Sequence, residues 1–226
     1  MKRAAFVGLC LVIAAAFTAL GVWQLERLAW KTALIERVEA RLHAPPAPPP
    51  EPAAWTPEDA YTRVRVEGVF LHDREALVQA VTERGAGWWV MTPLRTEAGV
   101  ILINRGFVPS ERRAADSRAA GQVAGVVVVT GLLRASEPHG GFLRANAPLE
   151  GRWYSRDVVA LARAQGLAGR VAPYFVDADA ALNPGGYPVG GLTVVTFSNA
   201  HLPYAITWFA LALLALAGAV RIGTRG

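Results

Sequence analysis

Residues 4–23 read AAFVGLCLVIAAAFTALGVW, and this stretch decides the fold. It carries no charged residue and has about the 20-residue length that an α-helix needs to cross the hydrocarbon core of a bilayer. A second uncharged stretch, LPYAITWFALALLALAGAV at residues 202–220, lies close to the other end of the chain. The pattern therefore predicts two terminal transmembrane helices, with all the residues between them on one side of the membrane.

The residues between the two apolar stretches alternate in the manner of β-strands. Near Tyr61 the sequence RVRVEGV places valines on one face and charged residues on the other, as in a half-buried strand. Strands are predicted at 61–70, 76–81, 88–95, 100–107, 123–134, 171–177 and 192–197, with turns at 85–87 and 97–99. A helix is predicted from Ser155, as its N-cap, to Gly166. The predicted fold class is two terminal transmembrane helices flanking an extracytoplasmic α+β domain, mainly an antiparallel sheet or partial barrel.

The same pattern divides the chain into consecutive segments. They are a cytoplasmic N-terminus at 1–3, transmembrane helix 1 at 4–23, an amphipathic stalk helix at 24–43, a Pro-rich spacer at 44–54, an extracytoplasmic β-rich domain at 55–200, transmembrane helix 2 at 201–220 and a cytoplasmic tail at 221–226. Arg221 and Arg225 follow the second helix, and because cytoplasmic flanks collect Lys and Arg, both termini are placed inside. Arg27 and Lys31 after the first helix favour the opposite orientation, but long domains translocate largely regardless of charge.

Composition excludes several classes of function. The net charge is +5, but the arginines are dispersed without a basic run, so nucleic acid is not a predicted partner, whereas membrane lipids are. The only cysteine, Cys10, lies in the first apolar stretch, so the middle domain can form neither a disulfide nor a paired-thiolate metal site. Asp177 and Asp179 are interpreted as a solvated strand end rather than a catalytic pair, and no enzymatic activity is predicted.

Polar, aromatic and basic residues gather where both helices meet the same membrane face. They are Trp23, Gln24, Arg27 and Lys31 at the end of the first apolar stretch, and His201, Tyr204 and Trp208 at the start of the second. A neutral imidazole can ligate haem iron, Arg or Lys can pair with the propionates, and Trp can pack against the ring. The alternative is an interfacial histidine that hydrogen-bonds lipid head groups, with the aromatic residues forming an ordinary belt.

A second motif, Asn104-Arg105-Gly106, follows the apolar residues 101–103 of a predicted strand. Gly106 permits a β-bulge or a backbone φ that other residues resist. Arg105 is either a functional cation or a structural side chain that pairs with a carboxylate or with strand-end carbonyls. We interpret the three residues as a structural motif.

Three motifs, in this order along the chain, are similar to those of the surfeit locus protein 1 family. They are LGVWQLERLAWK at residues 20–31, NRGFVP at 104–109 and HLPYAITWF at 201–209. Phe107 stands where the family often has tryptophan, and Pro203 where it often has a polar residue. The arrangement of two terminal helices around one domain also matches, so the resemblance covers the whole architecture.

The resemblance implies a non-enzymatic membrane assembly factor for a haem–copper terminal oxidase, acting in cytochrome c oxidase biogenesis. It implies transient binding of haem A, with His201 at the position of the family's proposed iron ligand, and it implies oxidase subunit I and haem A synthase as partners. The alternative is a scaffold that joins haem A synthase to subunit I and binds no haem. The lack of a long Arg- and Ser-rich transit peptide predicts a bacterial member in the cytoplasmic (inner) membrane, with its central domain in the periplasm.

Overall fold

A computed structural model describes residues 2–141, 143–195 and 197–224. The chain divides into a helical unit, Met1–Glu39 with Val195–Gly226, and a β domain, Ala40–Val194. The helices are α1 (Lys2–His43), α2 (Val158–Ala164) and α3 (His201–Thr224), and the strands are β1 (Arg63–Phe70), β2 (Ala76–Thr82), β3 (Gly85–Thr96), β4 (Gly99–Pro109), β5 (Val126–Ala135) and β6 (Val171–Ala178). Arg225, one of the two arginines used to predict the orientation, lies outside the described residues, as do Met1 and Gly226 at the predicted cytoplasmic ends.

The helical unit contains two helices that are long and apolar enough to cross a membrane. Helix α1 runs from Lys2 to His43 without a break, since no proline interrupts it before the Pro-rich stretch begins. Helix α3 begins at His201, and Pro203 lies in its first turn, where a missing backbone N–H leaves no helical hydrogen bond unmade.

The β domain is built on one six-stranded sheet that curls into a partial barrel. The strand order is β1-β5-β6-β4-β3-β2, and an additional pairing of β1 with β3 closes five strands and leaves β2 outside. Closure joins Val69 to Arg95 and Phe70 to Leu94. The sheet is antiparallel apart from β4 and β6, which run parallel. The predicted fold class is therefore confirmed, because two apolar terminal helices flank a mainly antiparallel partial barrel.

Two hydrophobic clusters hold the β domain together. One includes Val64, Ile103 and Val176 from alternating inward positions of three strands, all fully buried. The other lies where α2 covers the sheet, with Leu161 of the helix buried against Phe175. Six of the seven predicted strands are present, each within a few residues of its predicted ends.

The seventh predicted strand, at 192–197, is wrong for its described residues, because 192–195 and Phe197 adopt no strand structure. Gly191, just before it, has a left-handed φ of +74°, which breaks extended structure. The Thr193 hydroxyl donates a 3.0 Å hydrogen bond to Asp177 Oδ2, so this segment contacts the sheet through a side chain. Thr196 lies outside the described residues.

Turn and cap positions also differ from the predictions by a few residues. Thr82 pairs with Gly85, so the first hairpin turns at residues 83–84 instead of 85–87, and the second turns at 97–98 because Thr96 pairs with Gly99. Asp157, not Ser155, caps α2, since its side chain accepts a 3.1 Å hydrogen bond from the Ala160 amide. The helix begins at Val158, so Asp157 occupies the N-cap position, and the Ser155 hydroxyl instead accepts a hydrogen bond from the Gly140 amide.

The Pro-rich stretch predicted as a spacer is fixed to the β domain at two points. Ala47 forms a parallel bridge with Val64, in which its N–H donates to Arg63 O and its carbonyl accepts from the Arg65 amide. The Tyr174 hydroxyl donates a 2.6 Å hydrogen bond to Pro50 O. Burial, together with the Glu51 carboxylate, raises the pKa of Tyr174 to about 12, so this donor stays protonated.

Candidate functional site

The predicted membrane-face cluster is centred on a contact between α1 and α3. His201 is the first residue of α3, and its Nδ1 lies 2.7 Å from the Oε1 atom of Gln24 in α1. Because a carboxamide oxygen can only accept a hydrogen bond, this contact places the imidazole proton on Nδ1. In the neutral imidazole Nε2 then keeps its lone pair, which is the electronic form of a metal ligand.

A seam of small residues brings the two helices together. On α3 the buried residues Ala205, Ala212 and Ala219 repeat every seven positions, and Ala205 is 1% exposed. On α1 Gly21 faces the ring of Phe209, so closely that a Cβ at residue 21 would lie 2.7 Å from it. Small residues let membrane helices approach closely. Gln24 lies one turn beyond Gly21 on α1, so the close approach explains how its side chain reaches His201.

One row of buried or half-buried positions on each helix follows alternating steps of four and three residues. They are Cys10, Ala14, Phe17, Gly21, Gln24, Leu28 and Lys31 on α1, and His201, Ala205, Trp208, Ala212, Ala215 and Ala219 on α3. This spacing is the heptad pattern of a left-handed helix pair. Gln24 and His201 are therefore seam positions in their own right, at the end of the pair where α3 begins.

The other predicted site residues lie on the same two helices but are not all drawn together. Trp208 packs on Phe17 across the seam, with ring centroids 5.4 Å apart. Arg27 is exposed and its guanidinium lies 4.6 Å from the ring of Trp30. Lys31 is half-buried on the seam face, whereas Trp23 and Tyr204 are 50% and 58% exposed. Among the described residues, the Gln24–His201 hydrogen bond is the one that joins two predicted site residues across the helices.

A second hydrogen bond joins the segment just before α3 to α1. Asn199 Nδ2 donates to the Thr32 hydroxyl over 3.4 Å, two residues before His201. The Asn199 Oδ1 atom is buried and has no hydrogen-bond partner among the described residues. Phe17, Trp30 and Asn199 were not predicted as site residues, and the four–three spacing of the apolar stretches is the signal that would have found Phe17.

The central motif, Asn104-Arg105-Gly106, is part of the barrel wall. Met91 pairs with Asn104 and Trp89 with Phe107, so β4 carries one extra residue against β3 and forms the predicted bulge. Gly106 adopts φ +123°, and its N–H donates a 3.1 Å hydrogen bond to Asn104 Oδ1. A Cβ at this position would lie 2.1 Å from the Val189 carbonyl oxygen, which only glycine avoids.

Arg105 is held inside this motif by hydrogen bonds and a ring contact. It is 3% exposed, donates through Nη2 to the Gly121 carbonyl and to Asn183 Oδ1, and covers the ring of Phe70 at 4.7 Å. Burial lowers the pKa of Arg105 to about 10, with the Arg118 charge adding to the effect and Glu75 opposing it. The side chain still carries its positive charge at neutral pH, and it ties β4 to two loops through their carbonyl oxygens.

Asp177, interpreted from sequence as a solvated strand end, is in fact the centre of a buried ionic cluster. It is 3% exposed. Its Oδ1 accepts hydrogen bonds from Asn104 Nδ2 (2.7 Å) and Arg156 Nη1 (3.0 Å), and its Oδ2 accepts from Arg134 Nη1 (2.8 Å) and Thr193 Oγ1 (3.0 Å). The signal in the sequence is that this carboxylate ends the apolar run of β6, where an unpaired charge would be costly.

Comparison with known proteins gives consistent results over most of the chain. The sequence model described as SURF1 family matches residues 11–213. The chain is 40% identical over 222 residues to a SURF1-like protein of Monosiga brevicollis, covering 92% of this chain and 83% of that protein. It is 36% identical over 212 residues to Surfeit locus protein 1 of Homo sapiens (85% and 69%), and 33% identical over 219 residues to Surfeit locus protein 1 of Takifugu rubripes (89% and 90%).

Proposed function

We propose a function from one premise, which is that this chain belongs to the SURF1 family. The proposed function is that of a membrane assembly factor for a haem–copper terminal oxidase. In this proposal the protein receives haem A at the start of α3, close to one face of the membrane, and supports its delivery to oxidase subunit I. It catalyses no reaction, and haem A is its cargo.

The observation that carries the proposal is the way His201 is held. One ring nitrogen is bound to Gln24, and the other has the form of an iron ligand, on a half-buried side chain at the end of the helix seam. A single imidazole suffices as an axial ligand, because the porphyrin supplies four nitrogen ligands of its own. An interfacial histidine that only meets lipid head groups needs no fixed partner on a second helix, so the geometry favours ligation.

The surrounding residues fit the rest of a haem. Lys31 lies two helical turns beyond Gln24 on the same face of α1 and is half-buried, so it is placed to pair with a propionate. Arg27 is one turn beyond Gln24, but its guanidinium already lies over Trp30. We therefore expect Lys31 to contribute more to propionate binding than Arg27. The exposed rings of Trp23 and Tyr204 offer apolar area for the porphyrin.

The partners and location in the proposal follow from the cargo. Haem A must come from haem A synthase and go to oxidase subunit I, and both exchanges take place at a membrane, where the two apolar helices hold this protein. We propose the bacterial cytoplasmic membrane, with the β domain on the periplasmic side. The relatives compared above are eukaryotic, so the bacterial source stays a prediction from the sequence.

The test is the haem content of the purified full-length protein after co-expression with a haem A synthesis pathway. The wild type should carry a haem A absorbance spectrum, and His201→Ala should lose or shift it while accumulating normally in the membrane. His139→Ala is the matched control, because His139 is an exposed loop histidine of the β domain. An unchanged spectrum in His201→Ala would rule out ligation by that residue. A wild type that acquires no haem A would favour the scaffold, which joins haem A synthase to subunit I without binding haem.

A further inference from the structure

We propose that Gln24 is a positioning residue for His201, which fixes the tautomer and the ring orientation that iron ligation requires. This inference rests on the function proposed above and adds a role for α1 in it. Gln24 does not touch the cargo in this scheme. It acts through the imidazole, by accepting the Nδ1 proton and so keeping Nε2 free of hydrogen.

The distance and burial support a specific hydrogen bond. The separation of 2.7 Å between Nδ1 and Oε1 is at the short end of the range for N–H···O bonds. Both side chains are half-buried, so water competes less for the imidazole than it would in an open loop. Without this acceptor the proton can move to Nε2, and an imidazole that carries its proton there cannot ligate through that atom.

The position of Gln24 on a rigid element makes the bond directional. Gln24 lies within α1, one turn beyond Gly21, where a Cβ would lie 2.7 Å from the Phe209 ring of α3. A residue that accepts the N–H of the ring nitrogen that does not bind the metal orients the ligating histidine. It also raises the basicity of the ring. Loss of such a residue usually costs about 10-fold to 100-fold in metal affinity. We expect the same range for loss of the Gln24 acceptor.

A purely structural role is the competing explanation, in which Gln24 only ties α1 to α3. Two substitutions separate the explanations. Gln24→Leu has a similar size and removes the acceptor, whereas Gln24→Glu keeps an acceptor oxygen at the same reach. Glu26→Gln is the control on the same helix, since Glu26 is exposed and lies about 200° around the helix from Gln24.

The first measurement needs no haem. Full-length protein carrying ¹⁵N-labelled histidine is studied in detergent micelles, and the His201 signals are identified by their absence in His201→Ala. The wild type and Gln24→Glu should show a protonated Nδ1 and a bare Nε2. Gln24→Leu should shift the population toward the tautomer with the proton on Nε2. A wild type with its proton on Nε2, or a Gln24→Leu tautomer equal to that of the wild type, overturns the inference.

The second measurement is the affinity of the same samples for ferric haem A in micelles, followed by absorbance. Gln24→Leu should bind about 10-fold to 100-fold more weakly, and Gln24→Glu and Glu26→Gln should remain close to the wild type. If haem binds and depends on His201 while Gln24→Leu binds as tightly as the wild type, the proposed function stands and the positioning role is wrong. If the wild type binds no haem, the proposed function fails, and with it the role of Gln24 in ligation, whatever the tautomer.

Discussion

Gly106 forms the bulge of β4 with a positive φ, and its Cα lies against the backbone of the loop at Val189. Gly106→Val should destabilise the protein by about 1–3 kcal/mol through its φ of +123° alone. The overlap of the new Cβ with the Val189 carbonyl, 2.1 Å away, adds to that cost. We expect low abundance in the membrane and a lowered thermal transition, with Gly106→Glu behaving in the same way.

Gly85 provides the matched control for this prediction. It also has a positive φ, +93°, but a Cβ there meets no atom within 4 Å. Gly85→Val therefore carries only the backbone strain, and it should be clearly milder than Gly106→Val. Normal accumulation of Gly106→Val with a native thermal transition would show that the bulge tolerates a side chain.

The ionic cluster around Asp177 predicts a dependence of stability on acid. Burial alone would raise the pKa of the neighbouring Glu137 carboxyl, but the hydrogen bonds and charge of Arg156, together with Arg134, hold that pKa below its ordinary value of 4.5. The folded state therefore binds this proton less readily than the unfolded chain does. The stabilisation is complete above about pH 4.5 and is lost as the pH falls through the lower, folded-state pKa.

Glu137→Gln should remove this contribution. At pH 6 the variant should have a lower thermal transition than the wild type, and the difference should shrink as the pH falls below 4. Thermal melts of the full-length protein between pH 3 and 6 (chosen to bracket the ordinary pKa) would measure it. Glu83→Gln, an exposed carboxylate in the turn between β2 and β3, should change neither the transition nor its pH dependence. Parallel pH profiles for Glu137→Gln and the wild type would contradict the argument.

Residue-level predictions from sequence succeeded where the reason was local. The bulge and the positive φ at Gly106 follow from a glycine after an apolar strand, and the structure confirms both. The role of Asp177 depends on partners from distant parts of the chain, Arg134 and Arg156, which no local pattern connects to it. Of the predicted membrane-face residues, Gln24, Lys31, His201 and Trp208 are half-buried, whereas Trp23, Arg27 and Tyr204 are exposed. The Gln24–His201 pairing joins residues 177 positions apart and needed the structure.

At the scale of elements, the seam between α1 and α3 makes a direct prediction about distance. A Cβ at Gly218 would lie 3.9 Å from the sulfur of Cys10, the only cysteine of the chain. Gly218→Cys should therefore form an intramolecular disulfide on mild oxidation, because the two thiols come within bonding reach. Mass spectrometry of the oxidised, unreduced protein would detect the crosslink.

Ala217→Cys is the control for the seam, since Ala217 is next to Gly218 in sequence but exposed. It should stay reduced or form only intermolecular dimers. Failure of Gly218→Cys to crosslink, under conditions that dimerise the control, would mean that the helices do not pack along this face. The same crosslink, made in the Gln24→Leu background, reports whether the seam survives loss of that hydrogen bond.

Strands and helices were predicted closely where the pattern lies within the element itself, and less closely where contacts from other segments decide the structure. Period-two alternation in 63–70 is a property of the strand itself, so β1 was predicted closely. The residues 192–195 have the composition of a strand, but hydrogen bonding from Thr193 and the turn at Gly191 assign them to a loop. The position of a helix cap depends on which nearby side chain bonds the first helical amides. Asp157 lies directly before α2 and caps it, whereas the Ser155 hydroxyl accepts a hydrogen bond from the Gly140 amide.

For the whole molecule, orientation in the membrane is the open prediction. With both termini inside, the turn at Glu83–Arg84 lies outside the cytoplasm. A reporter that is active only outside the cytoplasm, inserted at this exposed hairpin, should be active, and the same reporter fused after Thr224 should be inactive. The reverse pattern in stably accumulating fusions would show that the charges of Arg27 and Lys31 set the orientation.

The order of strands in the barrel has a consequence for how the protein is made. β6 is the last strand along the chain, yet it lies in the interior of the sheet between β4 and β5. Until residues 171–178 leave the ribosome and reach their compartment, β4 and β5 have no neighbour on their facing edges, and an unpaired strand edge is prone to pair with other chains. The β domain therefore completes its folding only after nearly all of it has been synthesised, and α3 begins at His201, soon after β6 ends at Ala178. Late completion leaves the facing edges of β4 and β5 unpaired for most of the synthesis of the β domain.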